Sequence, residues 1–329
     1  MRGWTTSLLL LFIASIQVQA QGTYKETLLL MGSRFDITAL AETDTLAWQA
    51  VQAGIQEISR IERLISSWDP ASQTSAVNRN AGIAPVAVDK ELYDLVFRAQ
   101  KVSQLTKGAF DISFASMDKI WRFDGSIKEL PDPAEVETAR QHIDWQKIIL
   151  DPEKQTIFLR GEGMKIGFGA IGKGYAANRA KAIMAKMPGV SGGLVNAAGD
   201  LLAWGASPKS EGWTIKIADP KDKAQALGWL QIKDMAVVTS GDYERFLEFD
   251  GKRYAHIIDP RTGYPTTGIK SVTIVCPDAE LADALATSVF VLGKTAGLQL
   301  INQLNGVACL IVTDDDELLR SDDLQFNYY

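Results

Sequence analysis

The stretch GGLVNAAGDLLAWG, residues 192–205, indicates two β-strands joined by a tight turn. Its two ends are largely apolar, and between them Asn-Ala-Ala-Gly-Asp supplies the small and polar residues that turns favour. Two later stretches, GWTIKIAD (212–219) and DMAVVTSGD (234–242), also read as strands that end in turns.

Helices lie before and after these strands. Apolar residues at steps of three and four predict an amphipathic helix in TLAWQAVQAGIQEISRIERLISSW (45–68). A second helix, DKELYDLVFRAQKVSQLTKG (89–108), begins with an aspartate N-cap and stops at a glycine, and a third, DAELADALATSVFVLG (278–293), is also capped by its first aspartate. The polar segment 69–82 predicts a loop, and GVACLIVTD (306–314) a closing strand. Because helices interrupt runs of strands without regular alternation, we expect an α+β fold of layered mixed or antiparallel sheets with packed helices.

The composition is that of an ordinary globular protein: 329 residues, 46% hydrophobic and 22% charged. Neither a linker-like segment nor a repeat interrupts the chain, so we expect one domain over residues 21–329.

The first twenty residues, MRGWTTSLLLLFIASIQVQA, combine an early arginine, an apolar centre and a small-residue ending, the layout of a cleaved secretory signal; a buried first helix is the alternative. No cysteine near the cleavage point could be lipidated, so we expect an exported, periplasmic protein. We expect no second apolar run long enough to cross a membrane.

The net charge and the cysteine content limit the kinds of ligand and partner that the protein can bind. The formal net charge of −6 argues against nucleic acid or an anionic membrane as a general partner, although it leaves room for a phosphorylated ligand. Cys276 and Cys309 both lie in strand-like runs, where they form either one disulfide or two buried free thiols. With two histidines in all and no tight spacing, these cysteines do not make a zinc site.

Two stretches contain glycines and polar residues suited to a ligand. In GFGAIGKGYAANRA (167–180) a helix begins near Ile171, and its free N–H groups, together with Lys173, would suit a phosphate. The spacing matches no nucleotide-binding fingerprint, so a plain glycine-rich turn is an equal alternative. In the 192–205 stretch, Asn196 and Asp200 either face a ligand or only stabilise their own turn.

Two further stretches carry groups suited to catalysis. Asp283 and Thr287 are four residues apart on a predicted helix, so both project from one face and offer the oxygen ligands that Mg²⁺ prefers. The alternative is an aspartate favoured by the helix dipole and a threonine bonded to its own helix. His256, in YAHIIDPRTGYP (254–265), stands near the end of a strand, where a side chain can meet a cleft; a structural histidine is the alternative.

Taken together, these stretches resemble the ApbE family of flavin transferases, the FAD:protein FMN transferases. The resemblance covers nearly the whole mature chain and runs in order through eight motifs: MGSRFDI (31–37), SSWDPASQTSAVN (66–78), GAFDIS (108–113), GAIGKGYAAN (169–178), NAAGD (196–200), TSGDYERF (239–246), HIIDPRTGYP (256–265) and ADALATSVFVLG (282–293). Eight collinear motifs are specific, whereas each one alone is not.

The resemblance implies an activity and a set of site residues. In that family FAD is cleaved at its pyrophosphate, FMN is esterified to a threonine of another exported protein, usually of a respiratory redox complex, and AMP leaves. Carried over to this sequence, the ligands of Mg²⁺ would be Asp283, Thr287 and the main-chain carbonyl of Ala170. The contacts with FAD would be Met31, Trp68, Ala109, Phe110, Asp111, Lys173, Asn196, Asp200, Ser240, Asp242 and Ile257.

His256 then becomes the candidate for the base that accepts the threonine proton, since a neutral imidazole is available near pH 7. Three positions depart from the family pattern: Ala198 replaces the first of two glycines, Gly167 stands where an aspartate is common, and Asn178 stands where an acid is usual. Two other functions remain open, namely an FAD pyrophosphatase that releases FMN and AMP and an exported flavin carrier without turnover.

Overall fold

The computed structural model describes residues 22–117, 120–121, 123, 126–127, 129–205, 207, 210–222, 224–242, 246–249 and 252–328, with the backbone alone at 252 and 253. The predicted signal sequence, residues 1–20, lies outside the described residues. The single domain predicted for residues 21–329 stays a prediction.

An eight-stranded sheet, antiparallel throughout, forms the centre of the fold. Its strands lie side by side in the order β1 (Gly22–Leu30), β2 (Ser33–Ala41), β6 (Val190–Ala197), β7 (Asp200–Gly205), β10 (Met235–Gly241), β15 (Ile269–Cys276), β16 (Ala308–Thr313) and β17 (Leu318–Arg320). The α+β class predicted from the sequence is therefore confirmed. The stretch 192–205 forms the hairpin of β6 and β7, in which Ala197 faces Asp200 across a two-residue turn.

Smaller elements surround this sheet. Two three-stranded sheets are formed by β3 (Val86–Ala87), β5 (Thr156–Leu159) and β4 (Ile148–Asp151), and by β18 (Asn327–Tyr328), β9 (Ala226–Ile232) and β8 (Trp213–Ala218). Two strand pairs are formed by β11 (Phe246–Phe249) with β12 (Lys252–Ala255), and by β13 (Ile258–Asp259) with β14 (Tyr264–Pro265). The α-helices are α1 (Asp44–Ile65), α2 (Gln73–Arg79), α3 (Lys90–Leu105), α4 (Pro133–Arg140), α5 (Gly172–Met184) and α6 (Ala279–Ile301).

The alternation of side chains along the strands builds a core on each face of the central sheet. In β10, Ala236 and Val238 belong to the large core that α1, α5 and α6 cover. Val237, between them, points to the other face and joins a smaller core beneath β8 and β9. Each large apolar side chain buried in this way contributes about 1.5–3 kcal/mol relative to exposure.

Helix α6 crosses the large core and is interrupted near its middle. The Asp278 side chain accepts a hydrogen bond from the Leu281 N–H at 3.0 Å, which confirms the predicted cap. Gly293 has φ 80 and ψ 168, so the first helical segment stops at the predicted residue and a second one continues to Ile301. By length and mean hydropathy, 1.4, α6 would suffice to cross a membrane, so the expectation of no such run is corrected. The core accounts for this apolar sequence, since half of an 18-residue stretch of α6 is buried in it.

The segment 69–82, predicted to be a loop, contains the short helix α2. Its polar residues misled the prediction because several are buried with partners. Ser72 caps the helix by accepting from the Ser75 N–H at 2.9 Å, and the buried Thr74 hydroxyl donates to the Leu64 carbonyl at 3.3 Å. Asn78 exchanges two hydrogen bonds with the main chain of Ile166, at 2.8 and 3.0 Å.

Three other sequence predictions need adjustment. Asp89 occupies the N-cap position of α3 as predicted, but its side chain makes no capping hydrogen bond. The stretch 306–314 forms β16, which is not the closing strand, because β17 and β18 follow it. Cys276 and Cys309 are both buried and free. Cys309 lies opposite Ile274 in the register of β15 and β16, so Cys276 is diagonal to it.

Candidate functional site

Several predicted site residues come from one end of the central sheet. Met31 lies in the β1–β2 turn with φ 50, and this turn is close to the β6–β7 turn because the Ala198 N–H donates to the Arg34 carbonyl at 3.0 Å. Ser240 and Asp242 lie at the end of β10, two and four residues beyond Val238, which pairs with Asp200. The sheet therefore brings the β1–β2 turn, the β6–β7 turn and the end of β10 to one edge, although they are far apart in the sequence.

The N-terminus of α5 is the charged centre of the site. Lys173 Nζ forms an ion pair with Asp200 Oδ2, at the start of β7. The Asp200 side chain is only 2% exposed and that of Lys173 26%, so the lysine reaches from a buried carboxylate toward solvent. Asp200 thus holds Lys173, whereas Asn196 accepts from the Gly199 N–H at 3.0 Å and stabilises its own turn.

Asp283 of α6 binds the first turn of α5. Its Oδ2 accepts from the Gly174 N–H at 3.0 Å, and it also accepts a hydrogen bond from the Lys173 main chain. The residue at the start of α5, Ile171, provides no side-chain cap, so Asp283 supplies the acceptor that the helix end lacks. The expectation that these N–H groups are available to a phosphate is therefore corrected. Gly174 allows the approach, since a Cβ there would lie 2.1 Å from the Ala279 carbonyl oxygen.

Burial controls the ionisation of Asp283. It raises the pKa of this carboxyl, against the lowering effects of the Lys173 charge and of the two main-chain N–H groups. Two buried carboxyl groups, Asp200 and Asp283, thus interact with one lysine, and a divalent cation bound beside them would favour their charged forms. Thr287 follows one turn after Asp283 and is half-buried, and the carbonyl of the half-buried Ala170 precedes α5 by two residues. These hard oxygen donors fit Mg²⁺, although the described residues contain no cluster of three or more His, Cys, Asp or Glu side chains.

The segment from Ala109 to Asp111 is buried, and the Asp111 carboxylate accepts hydrogen bonds from within the protein. One Asp111 oxygen accepts from the Ser113 N–H at 2.8 Å and the Ser113 hydroxyl at 2.6 Å, and the other accepts from the Trp145 N–H at 2.9 Å. Burial raises the pKa of Asp111 to about 6, against the effect of these hydrogen bonds. Asp111 therefore shapes the segment, and Ala109 and Phe110 are buried beside it.

His256 lies on the connection between β10 and β15, directly after β12. The next residue, Ile257, is fixed by its carbonyl, which accepts from the N–H and the hydroxyl of Thr266 at 2.9 and 3.0 Å. The half-buried imidazole contacts the ring of Phe123 edge-on, with centroids 6.3 Å apart. Phe123 belongs to none of the eight motifs, and its signal in the sequence is the Trp-Arg-Phe run at 121–123.

Trp68, three residues beyond the end of α1, contrasts with the buried groups because it is 80% exposed. Its main chain is held by Ser66, whose hydroxyl accepts from the N–H groups of Trp68 and Asp69 at 3.3 and 3.0 Å. A fixed backbone that presents an exposed aromatic ring suits stacking on a planar ligand.

The three departures from the family pattern have local explanations. A Cβ at Gly167 would lie 2.9 Å from that of Ala115, so no larger side chain fits there. Asn178 donates to Asp278 Oδ1 at 2.8 Å and accepts from the Ala279 N–H at 3.0 Å, a pair of roles that an ionised acid could not fill. Ala198 keeps the left-handed conformation of a glycine, with φ 54, and is therefore strained.

Comparison with known proteins identifies the family of this chain. The sequence model of the ApbE family matches residues 31–311. An FAD:protein FMN transferase of Klebsiella pneumoniae (strain 342) is 33% identical over 91% of this chain and 92% of its own length. One from Treponema pallidum (strain Nichols) is 33% identical over 82% of this chain and 80% of its own. The crystal structure of the ApbE protein of Thermotoga maritima superposes with a TM-score of 0.84 at 32% identity, covering 91% of this chain and 97% of that one.

The apo flavinyl transferase ApbE of Pseudomonas stutzeri has the same fold, with a TM-score of 0.78 at 25% identity over 92% of this chain and 95% of its own. The layered sheets, with a buried charged cluster at the start of α5, thus define the class of flavin transferases. This chain belongs to the ApbE family.

Proposed function

We propose that this protein is an FAD:protein FMN transferase that attaches FMN through a phosphoester to a threonine of an exported redox protein and releases AMP. The observation that carries the proposal is the family match over residues 31–311, together with relatives of that name at 33% identity over most of both chains. We further propose that the protein acts in the periplasm after removal of the signal sequence at residues 1–20.

The reaction exchanges one phosphorus–oxygen bond for another. The threonine oxygen attacks the phosphorus of the FMN half, the bond from that phosphorus to the oxygen of AMP breaks, and AMP leaves with the electron pair. His256 accepts the proton of the threonine hydroxyl. Such base assistance typically accelerates a reaction by about 10²–10⁴-fold.

The charged cluster serves the diphosphate. Lys173 neutralises phosphate oxygens, and Asp200 keeps its ammonium group in place through their ion pair. Asp283, Thr287 and the Ala170 carbonyl would hold Mg²⁺, which supplies further charge neutralisation when bound.

The remaining residues bind the dinucleotide. Trp68 is exposed for stacking on a ring, whereas the 109–111 segment acts through its shape and main chain. The other proposed contacts with FAD are Met31, Asn196, Ser240, Asp242 and Ile257.

The test is a labelling experiment. The mature chain is incubated with FAD, MgCl₂ and a flavin-free extract of exported proteins from its host. Flavin fluorescence that survives denaturing electrophoresis, FMN on a threonine by mass spectrometry and equimolar AMP support transfer. AMP without labelled protein indicates a pyrophosphatase, and intact FAD indicates a carrier; either result refutes the proposal.

Two variants test the assigned roles. His256→Ala should bind FAD but transfer FMN about 10²–10⁴-fold more slowly. His142→Ala is the matched control, because it removes the other histidine, which lies by Gly163. Asp283→Ala should weaken the dependence on MgCl₂, and an unchanged titration with MgCl₂ would count against the ligand assignment.

A further inference from the structure

An aromatic cluster joins the described residues between Met117 and Ile127 to the connection that carries His256. Its buried members are Met117, Trp121, Val136, Leu247 and Ile258, and Phe123, Phe249 and Tyr254 pack against them. This cluster is separate from the large core under the helices. Because Leu247, Tyr254 and Ile258 belong to it, the cluster packs the connection between β10 and β15 against Met117 and Trp121.

Trp121 holds that connection on both sides of His256. Its indole N–H donates to the Gly263 carbonyl at 2.8 Å. Its ring stacks on Tyr254, two residues before the histidine, with centroids 6.4 Å apart and planes at 22°. The same ring meets Tyr264, eight residues after the histidine, edge-on at 5.9 Å. One buried side chain thus restrains both ends of the loop.

Phe123, two residues beyond Trp121, touches the imidazole itself. The two rings meet at 76° with centroids 6.3 Å apart, an edge-to-face arrangement that aromatic pairs favour. Because an imidazole rotates about only two side-chain bonds, a ring against one side limits where its nitrogens point. The main chain at Ile257 is fixed independently by Thr266.

We propose that Trp121 and Phe123 are positioning residues that orient the His256 imidazole toward the acceptor hydroxyl. The inference rests on the proposed role of His256 as the base. Trp121 fixes the main chain that carries the histidine, and Phe123 fixes its ring. Neither residue contacts the diphosphate in this scheme, so both act on the rate of the chemical step and not on the binding of FAD.

The experiment measures AMP release and flavin labelling with FAD, MgCl₂ and the acceptor protein identified by the labelling experiment. Phe123→Ala should lower kcat by about 10- to 100-fold, the scale of a misplaced catalytic group, while KM for FAD changes less than about two-fold. Phe123→Tyr keeps the ring edge and should restore kcat. Trp121→Phe removes the indole N–H and reduces the ring that stacks on Tyr254 but keeps an aromatic side chain, and should give a smaller fall in kcat.

A double-mutant cycle separates positioning from a general structural role. In the His256→Ala background, Phe123→Ala should have no further effect on the residual rate, since its effect acts through the imidazole. Phe249→Ala is the matched control, because Phe249 packs on Tyr254 at 6.2 Å in the same cluster. It should leave kcat within about two-fold of the parent.

The inference would be overturned by additive effects in the cycle, by an equal loss of kcat in Phe249→Ala, or by a rise in KM with kcat unchanged in Phe123→Ala. An unaltered Phe123→Ala enzyme beside an active parent would also overturn it and leave the proposed function standing. An inactive parent would instead refute the proposed function.

Discussion

The buried carboxylate of Asp111 makes a prediction about the pH dependence of stability. Its pKa is raised to about 6 in the folded protein, from 3.8, because burial disfavours the charged form. The folded state therefore binds a proton more tightly than the unfolded state between these values, and the protonated group favours folding. Stability from this source is fully present below pH 3.8 and is lost as the pH rises through about 6.

The size of the effect follows from the two pKa values. At about 1.36 kcal/mol per pKa unit, the stability lost through Asp111, relative to low pH where both states are protonated, is about 3 kcal/mol at pH 7.5 and about 1.6 kcal/mol at pH 5. Asp111→Asn removes the titration but leaves an amide facing the N–H groups of Ser113 and Trp145, a cost that does not change with pH. The difference in unfolding free energy between variant and parent should therefore shift by about 1.4 kcal/mol in favour of the variant from pH 5 to pH 7.5.

The measurement is urea unfolding of both proteins at pH 5, 6 and 7.5, followed by tryptophan fluorescence. Taking the difference at each pH cancels the titrating groups that do not interact with Asp111, whereas Asp144, whose charge also raises the pKa of Asp111, contributes through that interaction. A difference that stays constant with pH, or that changes in the opposite sense, would refute the reasoning.

Three further outcomes are expected. Ala198→Gly should raise the free energy of unfolding by about 0.5–1 kcal/mol in urea, because the turn holds Ala198 at φ 54; a loss of stability would contradict this. Asn178→Asp should lower it by about 1–2 kcal/mol, since a carboxylate would face that of Asp278 at 2.8 Å, and Asn178→Ala should lower it less. Cys276 and Cys309 should both react with a thiol reagent in denaturant without reductant, because their diagonal register disfavours a disulfide; fewer than two thiols would disprove it.

The elements that could be predicted from the sequence are those with local signals. The 192–205 hairpin carries its own turn residues, and the starts of α1 and α6 carry caps, Thr43 and Asp278, within three residues of the N–H they accept. The start of α5 was also predicted within one residue. Helix α2 was missed because the partners of its buried polar groups, such as Ile166 for Asn78, lie far away in sequence.

The candidate site could be predicted as a set of residues but not as an arrangement. The motifs gave Lys173, Asp200 and Asp283, but only the fold shows that Asp200 holds the lysine and that Asp283 binds the N-terminus of α5. These contacts join residues 27 and 109 positions apart, and no spacing rule reaches so far. The proposed role of Trp121 and Phe123 could not be predicted for the same reason, since their partners Gly263 and His256 lie far away in the sequence.

Under the proposed export, the charge of Asp283 has a consequence for the biogenesis of the chain. While it is threaded unfolded through a translocon, the 23-residue α6 segment resembles a stop-transfer sequence by length and hydropathy. Asp283 is the fifth residue of this segment, so its charge opposes lateral release into lipid by less than the about 2.5–3.5 kcal/mol that a charge at the centre would cost. Replacing Asp283 by an apolar residue should therefore trap part of the newly made protein in the bilayer, a defect of secretion that would precede any loss of catalysis.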